Sequence, residues 1–216
     1  MNRRRFSTAT LSLVAVAALL PNVGAAQGGP AEGRDFTRID PPQPTAAPGK
    51  VEVIEFFSYA CPHCNTFEPA LASWAQRLPA DVTFRRVPVP FLMNAENFQR
   101  TYYALEATGE IEKMQQKIFT AVHVEKMRLD SPEAIAALVA RSGGDAAKFL
   151  AAFKSFSVAN AVTRAKKMTA DYKMGSVPAI VVQGRYLTSP SQAGGAGQAL
   201  AVTEALIQRA RKELKP

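Results

Sequence analysis

Cys61-Pro62-His63-Cys64 is the stretch whose residue types and spacing best suit chemistry, and it holds both cysteines of the chain. Two thiols separated by two residues can close a small disulfide, pass it on by thiol exchange and reopen. The same residues could also supply half of a zinc site or a structural bridge. Zinc needs further ligands, and the chain offers only His63, held inside the motif, and His123, which reads as surface decoration in the polar loop His123–Arg128. A bridge spanning so short a loop constrains the unfolded chain little. Redox chemistry is therefore the reading the motif supports.

The elements around the motif must position it. Val51, Val53, Ile54, Phe56 and Phe57 form a run of β-branched and aromatic residues interrupted only by Glu52 and Glu55. Such a run predicts a strand buried on both faces of a sheet. Ser58–Ala60 leads out of it, and Phe67, Leu71, Trp74, Ala75 and Leu78 recur at helical spacing within Asn65–Leu78. The motif thus lies where a buried strand gives way to a helix N-terminus, with Pro62 in the first turn, where its missing N–H costs nothing. Unpaired N–H groups at that terminus favour negative charge, so a thiolate on Cys61 is stabilised, and a protonated His63 adds to the effect. Stabilising the thiolate stabilises the dithiol and makes the disulfide form oxidising. This reading makes Cys61 the exposed, attacked sulfur and Cys64 the buried partner one turn further on.

Cys61-Pro62-His63-Cys64 after Ile54–Ala60 (IEFFSYA), with Ser176-Val177-Pro178-Ala179 far downstream, resembles the DsbA family of bacterial periplasmic thiol:disulfide oxidoreductases. The likeness runs from about Phe36 to the C-terminus and is strongest at the two motifs. It implies an α/β thioredoxin fold with an inserted all-helical subdomain. It also implies a dithiol oxidase that needs no bound cofactor and no metal. Its disulfide would go to unfolded, reduced secretory proteins and be restored by a quinone-linked inner-membrane reoxidase of the DsbB kind. In the family the proline matching Pro178 is cis and faces the active site. A cis Val177–Pro178 bond would set Pro178 against the Cys61 sulfur and leave Val177 to offer backbone groups to a client chain. Pro62, Val177 and Pro178 are thus the candidate substrate-contacting residues. Glu55 lies in the middle of the buried strand, where a carboxylate is costly unless paired or protonated. By resemblance it matches the acid beneath the active-site disulfide and would shuttle the proton of Cys64, with Arg86 standing where the family often has a lysine. The candidate catalytic set is Cys61, His63, Cys64 and Glu55.

Arg3, Arg4 and Arg5 precede the apolar stretch Leu11–Leu20, which is too short to span a bilayer, and small residues follow at Val23–Ala26. Residues 1–26 read as a cleavable signal peptide that sends the chain to the periplasm, by the general or the twin-arginine route. Its removal takes three arginines and no acids, leaving 23 basic and 18 acidic residues, a net charge of +5. The excess is spread along the chain with no nucleic-acid motif, so nucleic-acid binding is set aside. About 190 remaining residues suit one domain, a monomer, with a subdomain inserted.

Residues 27–49, rich in Gly and Pro, read as a flexible exposed leader, with a short edge strand at Phe36–Ile39. Val82–Val89 is the next strand, confined by Pro88 and Pro90. Residues 50–93 then make the opening half of the thioredoxin-like domain. Residues 94–174 carry helical stripes (Phe98, Tyr102, Leu105; Ile111, Met114, Ile118, Phe119) and form the helical insertion. Ser131-Pro132 starts one helix within it, and Asp145 caps the next. Residues 175–216 return to the thioredoxin-like domain: a strand at Ala179–Gln183, a turn at Gly184-Arg185, a strand at Tyr186–Thr188, a loop at Gly194–Gly197 and a helix at Gln198–Leu214.

Two other functions compete. A periplasmic reductase or isomerase would share the fold but need a reducing partner and, for isomerases, usually a dimerisation domain. A peptide-binding or chaperone module would use the same groove without redox turnover and would survive Cys61→Ser.

Overall fold

The computed structural model describes residues 29–46 and 48–214; the expected signal peptide lies outside the described residues. The chain first joins the sheet at β1 (Thr37–Arg38), then runs through β2 (Val51–Phe57), α1 (Pro62–Ala75) and β3 (Val82–Pro88). Five helices follow: α2 (Ala95–Thr108), α3 (Ile111–His123), α4 (Pro132–Arg141), α5 (Ala146–Phe153) and α6 (Phe156–Asp171). The chain returns through β4 (Ala179–Val182), β5 (Tyr186–Thr188), the short α7 (Pro190–Ala193) and α8 (Ala196–Leu214).

The sheet has the order β1-β5-β4-β2-β3, with β2 parallel to β3 and antiparallel to β4. All seven residues of β2 are buried, as its unalternating apolar run predicts for a central strand covered on both sides. Val51 and Val53 pack with Phe67, Leu71 and Trp74 of α1 and Val202 and Leu206 of α8 on one face. Ile54 and Phe56 pack with Ala165 of α6, Tyr172 and Val181 on the other. A third cluster belongs to the helical insertion, and Phe57, Tyr59, Cys61 and Cys64 are part of it. The motif therefore sits on the seam between the sheet and the inserted helices.

Local signals set the helix starts. Ser131 Oγ accepts from Ala134 N at 3.2 Å, and Asp145 Oδ1 accepts from Lys148 N at 2.9 Å, so both expected caps are made. Ser189-Pro190 repeats the Ser131-Pro132 signal and starts α7, a single turn of helix before α8. The β4–β5 turn is centred one residue earlier than expected. Gln183 and Gly184 both have positive φ, and Arg185 N donates to Val182 O at 3.0 Å. Gly184 is required there, because a Cβ would run into the Gln43 carbonyl.

That contact ties part of the leader expected at residues 27–49, most of whose described residues are exposed, to the body of the fold. The leader's described part lies along the sheet edge. Thr37 and Arg38 pair with Leu187 and Tyr186, Ile39 N donates to Arg185 O, and Gln43 N donates to Gly184 O. Phe36 is 1% exposed, edge-on to Tyr186. Glycine and proline make the segment irregular, but one buried aromatic ring and a row of backbone bonds hold it to the sheet.

Candidate active site

Cys61 is the N-cap of α1, extended at φ −88° and ψ 113°, and its sulfur accepts from Cys64 N at 3.2 Å. Cys61 N donates to Ser58 O at 3.0 Å, and Ala60 N donates to Ser58 Oγ at 3.1 Å, which closes the turn that delivers the sulfur to the helix end. Both cysteines are free thiols. Cys64 is fully buried, while Pro62 and His63 are exposed. Cys61 is only 4% exposed, so the expectation of an exposed attacked sulfur is corrected. The reason is Val177, whose carbonyl lies 3.4 Å from Cys61 Sγ and covers it from the strand side.

The two sulfurs are electrostatically unlike. The Cys61 thiol is pulled down from 9.0 to about 6, first by the hydrogen bond from the Cys64 thiol, then by the backbone N–H groups of Cys64 and His63 and by the His63 ring, all against its burial. The Cys64 thiol is pushed far up, chiefly by burial and then by donating to Cys61. The helix start thus favours the thiolate at Cys61, and burial favours the thiol at Cys64. Among the described residues no group of three or more His, Cys, Asp or Glu side chains gathers closely enough to hold a metal.

Behind Cys64 lies a buried ionic trio. Glu55 of β2 is fully buried and accepts from Arg86 Nε at 2.8 Å; Arg86 Nη2 donates to Glu68 Oε1 at 2.8 Å. The expected pairing of Glu55 with Arg86 is present, because β2 and β3 place the two directly opposite each other. Glu68 was not anticipated. It stands four residues after Cys64 and so on the same face of α1, which is the signal that could have found it. One guanidinium faces two carboxylates, and Glu55 Oε1 and Glu68 Oε2 have no hydrogen-bond partner among the described residues. Burial pushes Glu55 up to about 8 although Arg86 pulls the other way, and Glu68 is raised by the same cause. Burial thus favours the protonated form of both carboxyls, and Glu55 lies close enough to Cys61 and Cys64 for each charge to bear on the other.

The Val177–Pro178 bond is cis, and Pro178 is buried against the motif side of the sheet. His63, Phe67, Val177, Pro178, Pro190 and Ala196 line a mostly apolar groove of about 340 Å³ alongside. The structure thus brings Cys61, Cys64, Val177 and Pro178 together at the start of α1, with Pro62 and His63 exposed on the rim and Glu55 buried near the sulfurs. His123 is not the loop residue expected. It ends α3, and its ring bonds to the Tyr59 carbonyl at 2.8 Å.

A family model described as DSBA-like thioredoxin domain matches residues 52–201. The thiol:disulfide interchange protein DsbA of Burkholderia cepacia is 42% identical over 190 residues, 88% of each chain. That of Bordetella parapertussis is 41% identical over 209 residues, 95% of this chain and 99% of the relative. The crystal structure of Pseudomonas aeruginosa DsbA superposes with a TM-score of 0.82 at 35% identity, covering 85% of this chain and 96% of that one. The reduced DsbA1 of Neisseria meningitidis superposes with a TM-score of 0.79 at 26% identity, covering 87% and 98%. A thioredoxin fold interrupted by helices, a Cys-x-x-Cys motif at a helix start and this degree of likeness place the chain in the DsbA family of thiol:disulfide oxidoreductases, enzymes that introduce disulfide bonds into proteins.

Proposed function

We propose that Cys61 is the sulfur attacked by the client, that Cys64 is its leaving group, and that Glu55 handles the proton. A client thiolate attacks Cys61 of the Cys61–Cys64 disulfide; the new S–S bond joins client to Cys61, and the electron pair of the old bond goes to Cys64. Burial makes a Cys64 thiolate costly, so it takes up the proton that the Glu55–Arg86–Glu68 trio retains. A second client thiolate then attacks the client sulfur of the mixed disulfide. Cys61 departs as the thiolate that the α1 terminus and His63 stabilise. Two client thiols have become one disulfide, and the enzyme holds both electrons as its dithiol. The observation that carries this assignment is the opposite displacement of the two thiols, Cys61 down and Cys64 up.

In this reading Pro62, Val177 and Pro178 contact the client chain, Val177 through its backbone and Pro178 by presenting a ring with no N–H beside the sulfur. Residues 1–26 serve as a signal peptide and the enzyme works in the periplasm as a monomer. Residues 50–93 and 175–216 form the catalytic thioredoxin-like part, and residues 94–174 the insertion. Its clients are unfolded, reduced secretory proteins, and a quinone-linked inner-membrane partner takes the electrons away. The test is a redox titration against glutathione together with oxidation of a reduced, unfolded protein. The oxidised enzyme forms client disulfides stoichiometrically, Cys61→Ser forms none, and Cys64→Ser stalls as a mixed disulfide with glutathione on Cys61. A Cys61→Ser enzyme that still oxidised its client would overturn the assignment, and a client-binding activity indifferent to Cys61 would return the chaperone reading.

A further inference from the structure

Three residues of α3, spaced four apart on one helical face, grip one residue of the active-site loop. Gln115 Oε1 accepts from the Tyr59 hydroxyl at 2.6 Å. Phe119 packs edge-on against the Tyr59 ring at 5.1 Å. His123, stacked on Phe119 at 6.2 Å and 29°, reaches the Tyr59 carbonyl with Nε2 at 2.8 Å. A carbonyl oxygen only accepts, so His123 donates from Nε2. Tyr59 is fully buried, and the loop it belongs to ends at Cys61.

The His123 contact falls on a particular peptide unit. The Tyr59 carbonyl and the Ala60 N–H share one plane. On one edge of that plane the carbonyl is held by His123; on the other, Ala60 N donates to Ser58 Oγ at 3.1 Å. With both edges fixed, the next peptide is aimed so that Cys61 N reaches Ser58 O and the Cys61 sulfur meets Cys64 N. Those last contacts are the ones that favour the thiolate. The helical insertion thereby reaches across the seam and sets the direction in which Cys61 leaves the strand.

We propose that His123 is a positioning residue for the disulfide-exchange reaction: by fixing the Tyr59–Ala60 peptide from α3, it holds the Cys61 sulfur on the N–H groups at the start of α1. The proposal rests on Cys61 being the attacked sulfur, the one that leaves as the stabilised thiolate. If that reading fails, the parent enzyme itself lacks a thiolate that forms near pH 6; if only this proposal fails, the parent titrates there and so do the variants.

The experiment compares the full-length reduced protein with His123→Phe, which keeps the stack on Phe119 and loses the donor, and His123→Gln, whose amide can donate at similar reach. Thiolate absorbance is followed against pH, the glutathione equilibrium is measured, and melting is recorded alongside. In His123→Phe the Cys61 titration moves up by about half a pH unit or more, because one hydrogen bond to an otherwise unsatisfied carbonyl is lost. The equilibrium with glutathione becomes less oxidising by about threefold or more, the same free energy seen by another probe. His123→Gln restores both. A His123→Phe protein that melts lower but titrates and equilibrates as the parent does would overturn the proposal, since a purely structural contact moves only the melting. If His123→Phe does not fold, the pair His123→Gln and His123→Asn decides, because asparagine stops short of the carbonyl. A parent-like Gln with a shifted Asn supports the proposal, and identical titrations overturn it.

Discussion

Cys61 and Cys64 are the same residue type, three positions apart, and the fold gives them opposite acid strengths. Cys61 caps a helix and accepts hydrogen bonds; Cys64 is walled in by Phe57, Tyr59 and the helices of the insertion and donates one. The consequence is selective reactivity. In the reduced native protein at pH 6.5, iodoacetamide is expected to label Cys61 faster than Cys64 by about tenfold or more, since only thiolate reacts. Peptide mapping by mass spectrometry checks this, and Cys64 labelled first would reverse the roles. Val177 enters at the same scale: its carbonyl over Cys61 Sγ makes the rate sensitive to access as well as to thiolate content.

Among the elements, α1 carries the chemistry at its N-cap, Cys61, and one member of the ionic trio, Glu68, about two turns further on. β2 supplies Glu55 from within the sheet, and β3 supplies Arg86 opposite. β1 and the segment around it do something different. They seal the β5 edge and bury Phe36 under Tyr186, with Arg209 over the Phe36 ring at 5.1 Å. Phe36→Ala removes a fully buried ring and is expected to lower stability by about 3 kcal/mol in urea unfolding. Phe36 belongs to the cluster on the α1–α8 face and not to the one holding Cys61, so the same variant should keep the parent's glutathione equilibrium. A variant as stable as the parent would mean the leader is no part of the fold's stability.

For the whole molecule, thiolate stabilisation and folding are linked. The Cys61 thiol titrates at about 6 in the folded dithiol form against an ordinary 9.0, so its folded pKa is depressed. Stability from a depressed acid is fully present above the unfolded value and is lost as pH falls through the folded one. The disulfide form has no thiolate and gains nothing. At pH 7 the reduced protein is therefore expected to gain about 1–2 kcal/mol that the oxidised protein lacks, a few degrees in melting temperature. That advantage should grow toward pH 9 and vanish below about pH 6. Scanning calorimetry of both forms across this range checks it, and a difference independent of pH would show that Cys61 is not the group responsible.

What was readable in the chain is what local geometry writes into it. The apolar run of β2, the proline after Cys61, and the caps Ser131 and Asp145 each act within a turn or a strand, so period and residue type reveal them. Cys-x-x-Cys at a strand-to-helix junction carried the chemistry, and with Ser176–Ala179 it carried the family as well. Glu55 could be singled out because a carboxylate in a buried run demands an explanation, and Arg86 could be named its partner by resemblance. The rest depended on the path of the backbone. Val177 covers Cys61 from 116 positions away, His123 meets the Tyr59 carbonyl across 64, and Gln43 meets Gly184 across the edge of the sheet. Glu68 had its spacing from Cys64 in plain view, but only packing against Arg86 gave that spacing a meaning. Such contacts have no period, and each side chain looks ordinary in its own neighbourhood. Only when the helical insertion docks on the sheet does a histidine at the end of α3 come to lie beside the loop that delivers the reactive sulfur.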